Sequence, residues 1–568
     1  MAATLVVPGV RVEARFDIVP PLPAPAGIVG VVGIVDRPGP DGQLVGVTKV
    51  VELRDLLGPG TAVTMPQAVH ALANGASEIV VSPVRGGAPA KVTLNNRDSV
   101  PAALVRSRSN GAWANDGHLQ VEVQETTDAA GTPLRVTLRV LRDRAVVETH
   151  ADLRVAPGQP DDLFDTINRA SGYLVALDPG TAGVSPAALD ATFDPAASPV
   201  AIDVKDAASH ALFQLLPADG ADPHGLRVVL TPGSDGRITT EVFQNGLQER
   251  HTGLTTDPDD NGYLPFVLAT QSRLIRSRGV STFADPAKAL PAAGTPKPFA
   301  GGVSPDKAAY LTAIDLLADD TRIDLVLVAV EPTMARTDVR NVHQSLVAHA
   351  VAMADAGAPR IAFGSVTVDE QKTVADVRDH ASVARNRRFV LVSPAGAEGA
   401  LAGVVGRLSV QDAPTFKSVP LFDTPAARYR ESELNVLLGP TVNACVVQDR
   451  RGRGVVCLKG IDTTGDQISV TRVADAAVRE TKAIAENFVG TLNTDAARVA
   501  LRGQIVATFT RMERAGALVP STDGTDPAFV VDVYSTQQDF AQGIVRIDIA
   551  VRPVRAIDYV YATIRVKN

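Results

Sequence analysis

Between Pro305 and Ser393, apolar strand-like runs alternate with amphipathic helix-like ones, and this alternation constrains the fold more tightly than any other stretch. Ile323-Asp-Leu-Val-Leu-Val-Ala-Val330 is almost continuously apolar, the texture of a strand covered on both faces. Before it, Pro305 to Leu317 reads as a helix with Tyr310, Ile314 and Leu317 on one stripe. After it, Thr337 to Ala356 carries Val339, Val342, Leu346, Val347 and Ala350 at helical spacing and is closed by Gly357 and Pro359. Arg360 to Val366 is then a strand, Asp369 to Arg385 a helix and Phe389 to Ser393 a strand. The order β-α-β-α-β predicts an open α/β sheet as the core.

A further strand of the buried type is predicted at Ile28 to Val35, rich in Val and Ile. Its Gly27, Gly30 and Gly33 superficially match a phosphate-binding loop. That chemistry needs a strand, then a glycine turn, then a helix N-terminus. Here the glycines lie within the strand and a turn follows at Asp36-Arg-Pro-Gly-Pro-Asp-Gly42, so close packing is the expected role. From about 99 to 285 an order repeats at about one hundred residues. Leu119 to Val123, Leu134 to Val140, Glu148-Thr-His150 and Asp162 to Asn168 are followed by Leu226 to Leu230, Ile238 to Phe243, Glu249-Arg-His251 and Tyr263 to Leu268. The period is too long for a solenoid and suits two copies of a small α+β module. Pro286 to Gly302, rich in Pro, Gly and Ala, reads as the connection back into the core.

Composition narrows the function classes. The 568 residues are 45% hydrophobic and 21% charged, so about three to five domains are expected of a soluble globular chain. The net charge of −8 supplies no basic field for nucleic acid. The aromatic content of 4%, with Trp113 the sole tryptophan, disfavours stacking platforms. Cys445 and Cys457 are too few for a disulfide framework or a zinc site and are expected as free thiols in a reducing compartment. The start has no basic region followed by an apolar core, so no secretion signal is read there, and no apolar run reaches membrane-spanning length.

The residues offer no complete catalytic constellation. Glu331, Ser365 and Ser393 fall at carboxyl ends of predicted strands, where α/β sheets bind ligands, but Phe363-Gly-Ser-Val366 lacks the second glycine of a nucleophile elbow. His343 and His349, six apart, do not share a helix face as metal ligands would. His150 and His251 occupy matching places in the repeat; metal binding would need further ligands in space, and strand-edge histidines are commoner. Arg450-Arg-Gly-Arg-Gly454, between Cys445 and Cys457, reads as a hairpin tip suited to solvent or a subunit contact more than to nucleic acid. No metal, cofactor or catalytic residue is predicted.

The C-terminal stretch is better patterned. Asp475 to Leu492 predicts a helix with Ala477, Ile484, Phe488 and Leu492 on one side. Thr494 or Asp495 caps a second, striped by Leu501, Ile505, Phe509 and Met512, with Gly516 as its left-handed cap. Strands follow at Phe529 to Tyr534 and Gly543 to Pro553. The run Ile557 to Asn568 alternates Val560, Ala562, Ile564 and Val566 against Tyr559, Tyr561, Thr563 and Arg565, a strand in need of a partner. Near the other end, Val10 to Phe16 alternates weakly between prolines.

In this order the chain resembles the contractile tail sheath proteins of phages, R-type pyocins and related injection systems. Pro8-Gly-Val-Arg-Val12 resembles the family's opening, and Gly111-Ala-Trp-Ala-Asn115 its Gly-x-Trp-x-Asn element. Gly301-Gly-Val-Ser-Pro-Asp306 with Tyr310 and the 323–330 strand is similar to the start of the sheath core. Ala402-Gly-Val-Val-Gly-Arg407 resembles an Ala-Gly-x-x-Ala-Arg turn, and the helix, Gly-Ala-Leu and strand order ending in Arg552-Pro-Val resembles the sheath C-terminus. The usual region before the C-terminal helices is matched only loosely, by Lys459 to Thr464.

The resemblance implies an α/β core with an open mixed sheet, two small inserted α+β domains, and extended N- and C-terminal strand arms. Residues 1–25 would be the N-terminal linking arm, 26–98 the first part of the core, 99–200 and 201–285 the two inserted copies, 286–535 the α/β core and 536–568 the C-terminal strands and arm. It implies a structural subunit with no enzymatic activity that assembles in the host cytoplasm into a virion tail or extracellular particle. Its partners would be further copies of itself in six-fold rings, an inner tube protein, and baseplate and terminator proteins, with no nucleic acid and no membrane insertion. The arm strands are expected to use Arg11, Val12, Glu13 and Phe16 at one end and Tyr559, Val560, Tyr561, Ile564 and Val566 at the other. The receiving sheet would use Val531, Val533, Val545, Ile547 and Ile549. The competing readings are a baseplate or sheath-terminating protein with the same core, an α/β ligand-binding enzyme using Glu331 and Ser365, and a module whose inserts bind a cell-surface ligand.

Overall fold

The computed structural model describes residues 27–558, apart from 41, 128, 130, 132, 157–158, 179–182, 219, 280–289 and 422–426. Among the described residues, eight strands form the principal sheet. Its centre is Ile28–Ile34, buried throughout, which pairs in parallel with Glu78–Val84 on one side and Leu325–Val328 on the other. The parallel run continues through Ile361–Ser365, Phe389–Ser393 and Cys445–Arg450. Antiparallel strands Val45–Val47 and Gly454–Cys457 close the two edges, so the sheet is mixed.

Alternation along each strand sends side chains to two cores. Ile28, Val32, Val326, Val328, Phe389 and Leu391 face the helices Lys307–Leu316, Arg336–Asp355 and Val374–Val383. Val29, Val31, Leu325, Leu327, Val390 and Val392 face Val50–Leu57, Pro66–Ala73 and Glu398–Arg407. Gly33 is where the second layer comes closest: a β-carbon there would stand 2.3 Å from Met65 Sδ and 3.1 Å from Ala329 Cβ. The strand glycines serve packing, as their position within the strand predicts.

Several boundaries differ from the sequence expectation. Ala402 to Arg407 is the end of a buried helix rather than a turn, because Gly399 and Gly403 let it lie against the backbone of Gln67 and Ala71. The helix expected to begin at Asp475 begins at Ile468, since Ile468, Ser469 and Thr471 are buried in the main body. The region expected as one helix over 369–385 is a single turn, Glu370–Lys372, and then a helix capped by Thr373. The 286–302 connection contains the strand Gly294–Pro298, which pairs antiparallel with Leu119–Thr127.

Two modules stand on this core with matching sets of elements. In the first, Lys91–Asn95, Pro101–Ser107 and Leu174–Leu177 form one sheet, and Gly294–Pro298, Leu119–Thr127, Pro133–Arg142 and Ala145–Leu153 another. In the second, Ile202–Lys205, Ala211–Pro217 and Ile275–Gly279 correspond to the first sheet, and Leu189–Thr192, Arg227–Pro232, Ile238–Phe243 and Leu247–Leu254 to the other. Each places a short helix, Leu163–Ala170 or Leu264–Gln271, before the last strand of its three-stranded sheet, while the edge strand of the other sheet closes the first module (Gly294–Pro298) and opens the second (Leu189–Thr192). The modules hold each other through two buried arginines. Arg106 of the first lies over the Tyr263 and Phe266 rings of the second, and Arg278 of the second lies over Phe164 of the first.

Candidate assembly surface

The C-terminal region forms its own core. Helices Ile468–Glu486 and Asp495–Arg514 bury Val473, Ala477, Ile484, Leu501, Ile505 and Phe509 against the hairpin Phe529–Tyr534 and Arg546–Val551. Thr494 caps the second helix through Ala497 N–H, and Gly516 ends it at φ +74°. A left-handed residue there frees the chain to turn back toward the hairpin. The hairpin pairs Val531 with Ile549 and Val533 with Ile547. Val531 is buried, whereas Val533, Val545, Ile547 and Ile549 are only half covered by the helices. The opposite face carries Val530, Asp532, Asp548 and Ala550 to solvent, with Tyr534 Oη donating to Asp548 (2.9 Å).

Among the described residues this sheet has two strands and no more. Two-stranded sheets are marginal, and their unpaired N–H and C=O groups are a template for another strand. Val531, Val533, Val545, Ile547 and Ile549, expected from the sequence to form a receiving sheet, share the hairpin face that packs on the helices. Arg11, Val12, Glu13, Phe16, Tyr559, Val560, Tyr561, Ile564 and Val566 lie outside the described residues.

The first helix ties this surface to the amino ends of the principal strands. Arg479 Nη2 donates to Ile323 O (2.6 Å) and pairs with Asp324 (3.2 Å). Arg388 grips Asp475 through both oxygens (3.0 and 2.9 Å), and Arg472 donates to Leu408 O and Ser409 O (3.1 Å each). Burial raises the Asp475 carboxyl and Arg388 opposes it. Sequence patterning did not single out this strut, because buried charges carry no periodic signal.

The residues weighed for chemistry are otherwise engaged. Glu331 Oε1 accepts from Trp113 N–H (2.7 Å), which latches the Gly111–Asn115 element to the core. Asn115 secures it further, exchanging hydrogen bonds with Gly302 (2.8 and 2.9 Å). Ser365 and Glu331 line a cavity of about 200 Å³ at the carboxyl ends of the strands. Ser365 accepts from Gly396 N–H (3.3 Å) and bonds the buried Glu398, and Ser393 bonds Tyr429 Oη (2.6 Å). Beside the cavity runs a buried chain: Glu370 Oε2 to His380 Nδ1 (2.8 Å), and His380 Nε2 to His343 Nδ1 (2.9 Å). His349 instead meets Arg360 (2.9 Å). His150 and His251 each pair with the glutamate two residues before (3.1 and 3.2 Å). Among the described residues no group of three or more His, Cys, Asp or Glu could hold a metal ion, and no helix is long and apolar enough to cross a membrane. Cys445 and Cys457 are free and buried. At the hairpin tip Arg453 lies over Phe416, 5.2 Å from the ring centre.

The comparisons with known proteins bear on this same surface. Residues 462–567 match the family described as phage tail sheath C-terminal domain. Among solved structures, the sheath tail protein of Listeria innocua is similar with a TM-score of 0.45 at 11% identity, over 94% of this chain and 92% of that one. The sheath tail protein of Desulfitobacterium hafniense gives 0.43 at 12%, over 92% and 93%. The contracted helical sheath of the anti-feeding prophage gives 0.37 at 18%, over 48% and 78%. No curated protein matches the chain. The matched residues hold both helices, the hairpin and the terminal run, so the likeness to the phage tail sheath C-terminal domain falls on this surface.

Proposed function

We propose that this chain is the structural subunit of a contractile sheath, stacking as six-fold rings around an inner tube and contracting to drive that tube through a target envelope. The observation that carries the reading is the hairpin within the matched domain, which among the described residues has two strands and is half covered on one face. A strand from a neighbouring copy would satisfy its free backbone groups and complete its apolar face. In this reading residues 1–25 and the end of 536–568 are the linking arms, with Arg11 to Phe16 and Tyr559 to Val566 as the strands that add to Val531, Val533, Val545, Ile547 and Ile549. The two modules, expected from the sequence at 99–200 and 201–285 and in the fold taking in Lys91–Asn95 and Gly294–Pro298 for the first and Leu189–Thr192 for the second, are outer domains on the core. Strand links bend without breaking, so rings could repack while remaining joined. Assembly in the host cytoplasm, and contacts with tube, baseplate and terminator proteins, belong to the same proposal.

Purified protein is expected to form long hollow tubes in electron micrographs, and deleting residues 560–568 is expected to leave monomers or isolated rings. A full-length chain that stays monomeric at high concentration would overturn the proposal.

A further inference from the structure

The two modules enclose a cavity of about 320 Å³ between their equivalent helices and last strands. Leu163–Ala170 and Leu174–Leu177 supply one wall, Leu264–Gln271 and Ile275–Gly279 the other. Five arginines line it, Arg37, Arg169, Arg273, Arg276 and Arg278, against the two aspartates Asp165 and Asp178. In a chain of net charge −8 this is a local reversal of sign. The ion pairs there join Arg276 to Asp165 (2.7 Å) and Arg278 to Asp162 and Asp165, and among the described residues they engage neither Arg37 nor Arg273. Arg37 Nε and Arg278 Nε are buried with no hydrogen-bond partner among the described residues, and Arg278 is only 3% exposed. Buried guanidinium donors left unmade are costly, and a planar fork of N–H groups fits an oxyanion.

We propose that this cavity binds the dianionic oxyanion head of a small ligand, a phosphate monoester. The volume is at the lower end of small-ligand sites and suits a head group with a short substituent. Asp178 supplies a second recognition element. Its Oδ2 is buried without a partner among the described residues, while Gly279 N–H donates to the carboxyl. Burial pushes this carboxyl up to about 7 although Arg278 pulls it down. Near neutrality it is therefore half protonated, and the protonated form can donate to an oxyanion that the ionised form would repel. Asp162 and Asp165 are held by Arg276 and Arg278, so Asp178 is the acid whose charge the ligand feels. Binding takes up a proton at Asp178, and affinity falls as pH rises above 7.

The inference stands apart from the assembly reading, because binding is read on the full chain whether or not it forms tubes. The test is a calorimetric titration with sodium sulfate, whose charge is constant over this pH range, at fixed ionic strength. Saturable binding is expected to weaken about tenfold from pH 6 to pH 8, the span over which Asp178 loses most of its proton. Asp178→Asn is expected to remove that pH dependence. Arg273→Gln, at an exposed position, is expected to weaken binding about tenfold while leaving the melting temperature unchanged, and Arg37→Gln to do the same to the affinity. Glycerol 3-phosphate binding more tightly than inorganic phosphate would assign the site to an ester; the reverse would assign it to the free ion. No saturation in the millimolar range, or equal affinity in wild type and the arginine variants, would overturn the proposal.

Discussion

At the scale of single residues, the buried histidines set the response to acid. Burial raises the Glu370 carboxyl, but hydrogen bonds from His380, Thr367 N–H and Arg340 outweigh it and hold the group down at about 2. Burial and the neighbouring His380 push the His343 imidazole well below its usual value, and burial with Arg360 lowers His349 to about 4. A histidine lowered in the folded state leaves the unfolded chain as the better proton binder below about pH 6.5. Stability is therefore lost as pH falls from there toward the folded values, by up to about 1.4 kcal/mol per pH unit per group. The melting temperature is expected to drop between pH 7 and pH 5, and to drop less in His343→Gln, whose amide can still donate to His380. Glu331 makes a second residue-scale test. Glu331→Ala removes the acceptor for Trp113 N–H and is expected to cost about 2 kcal/mol in denaturant unfolding, and Glu331→Gln, which keeps an acceptor, to cost less.

At the scale of elements, helix Glu398–Arg407 shows how small residues decide a packing distance. Ordinarily Gly to Ala inside a helix gains about 1 kcal/mol. Here a β-carbon on Gly403 would stand 2.3 Å from Ala71 O, and one on Gly399 2.3 Å from Gln67 O, both backbone atoms that cannot swing aside. Overpacking of about 1–3 kcal/mol exceeds the propensity gain, so Gly403→Ala is expected to lower stability measured by urea unfolding. Element types were legible where period and length agreed: the strands at 28–34 and 389–393 and the helix Arg336–Asp355 fall close to where the pattern puts them. Boundaries failed where tertiary contacts overrode the local signal. Asp475 looks like a first-turn acid, yet it is mid-helix, because burial of Ile468, Ser469 and Thr471 starts the helix about two turns earlier and Arg388 pairs the acid there. Pro296 and Pro298 read as linker, yet their segment is an edge strand, a place where a missing N–H is tolerated.

At the scale of the whole molecule, helix Ile468–Glu486 packs Val473, Ala477 and Ile484 into the C-terminal core, and Arg472, Asp475 and Arg479 between and beside them tie it to the main body. Arg479 ties it with backbone carbonyls, among them those of Ile323 and Pro359, and with Asp324 as partners. Removing it leaves Asp324 under-compensated in a largely buried place, a loss of about 3 kcal/mol. Arg479→Ala is expected to split a single calorimetric transition into two, the C-terminal core melting apart from the sheet. One unchanged transition would show that the two bodies are coupled by other means.

The sequence by itself determined the α/β core and the C-terminal helices and hairpin, because period, caps and order are local properties. His150 and His251 were visible as repeats, but that each pairs with its own glutamate needed the fold. Only the tertiary structure brought Trp113 to Glu331, Arg106 to Tyr263 and Arg278 to Phe164. Each of those contacts joins elements far apart in the chain, and a buried charge or an open strand edge acquires meaning only from what the fold places beside it.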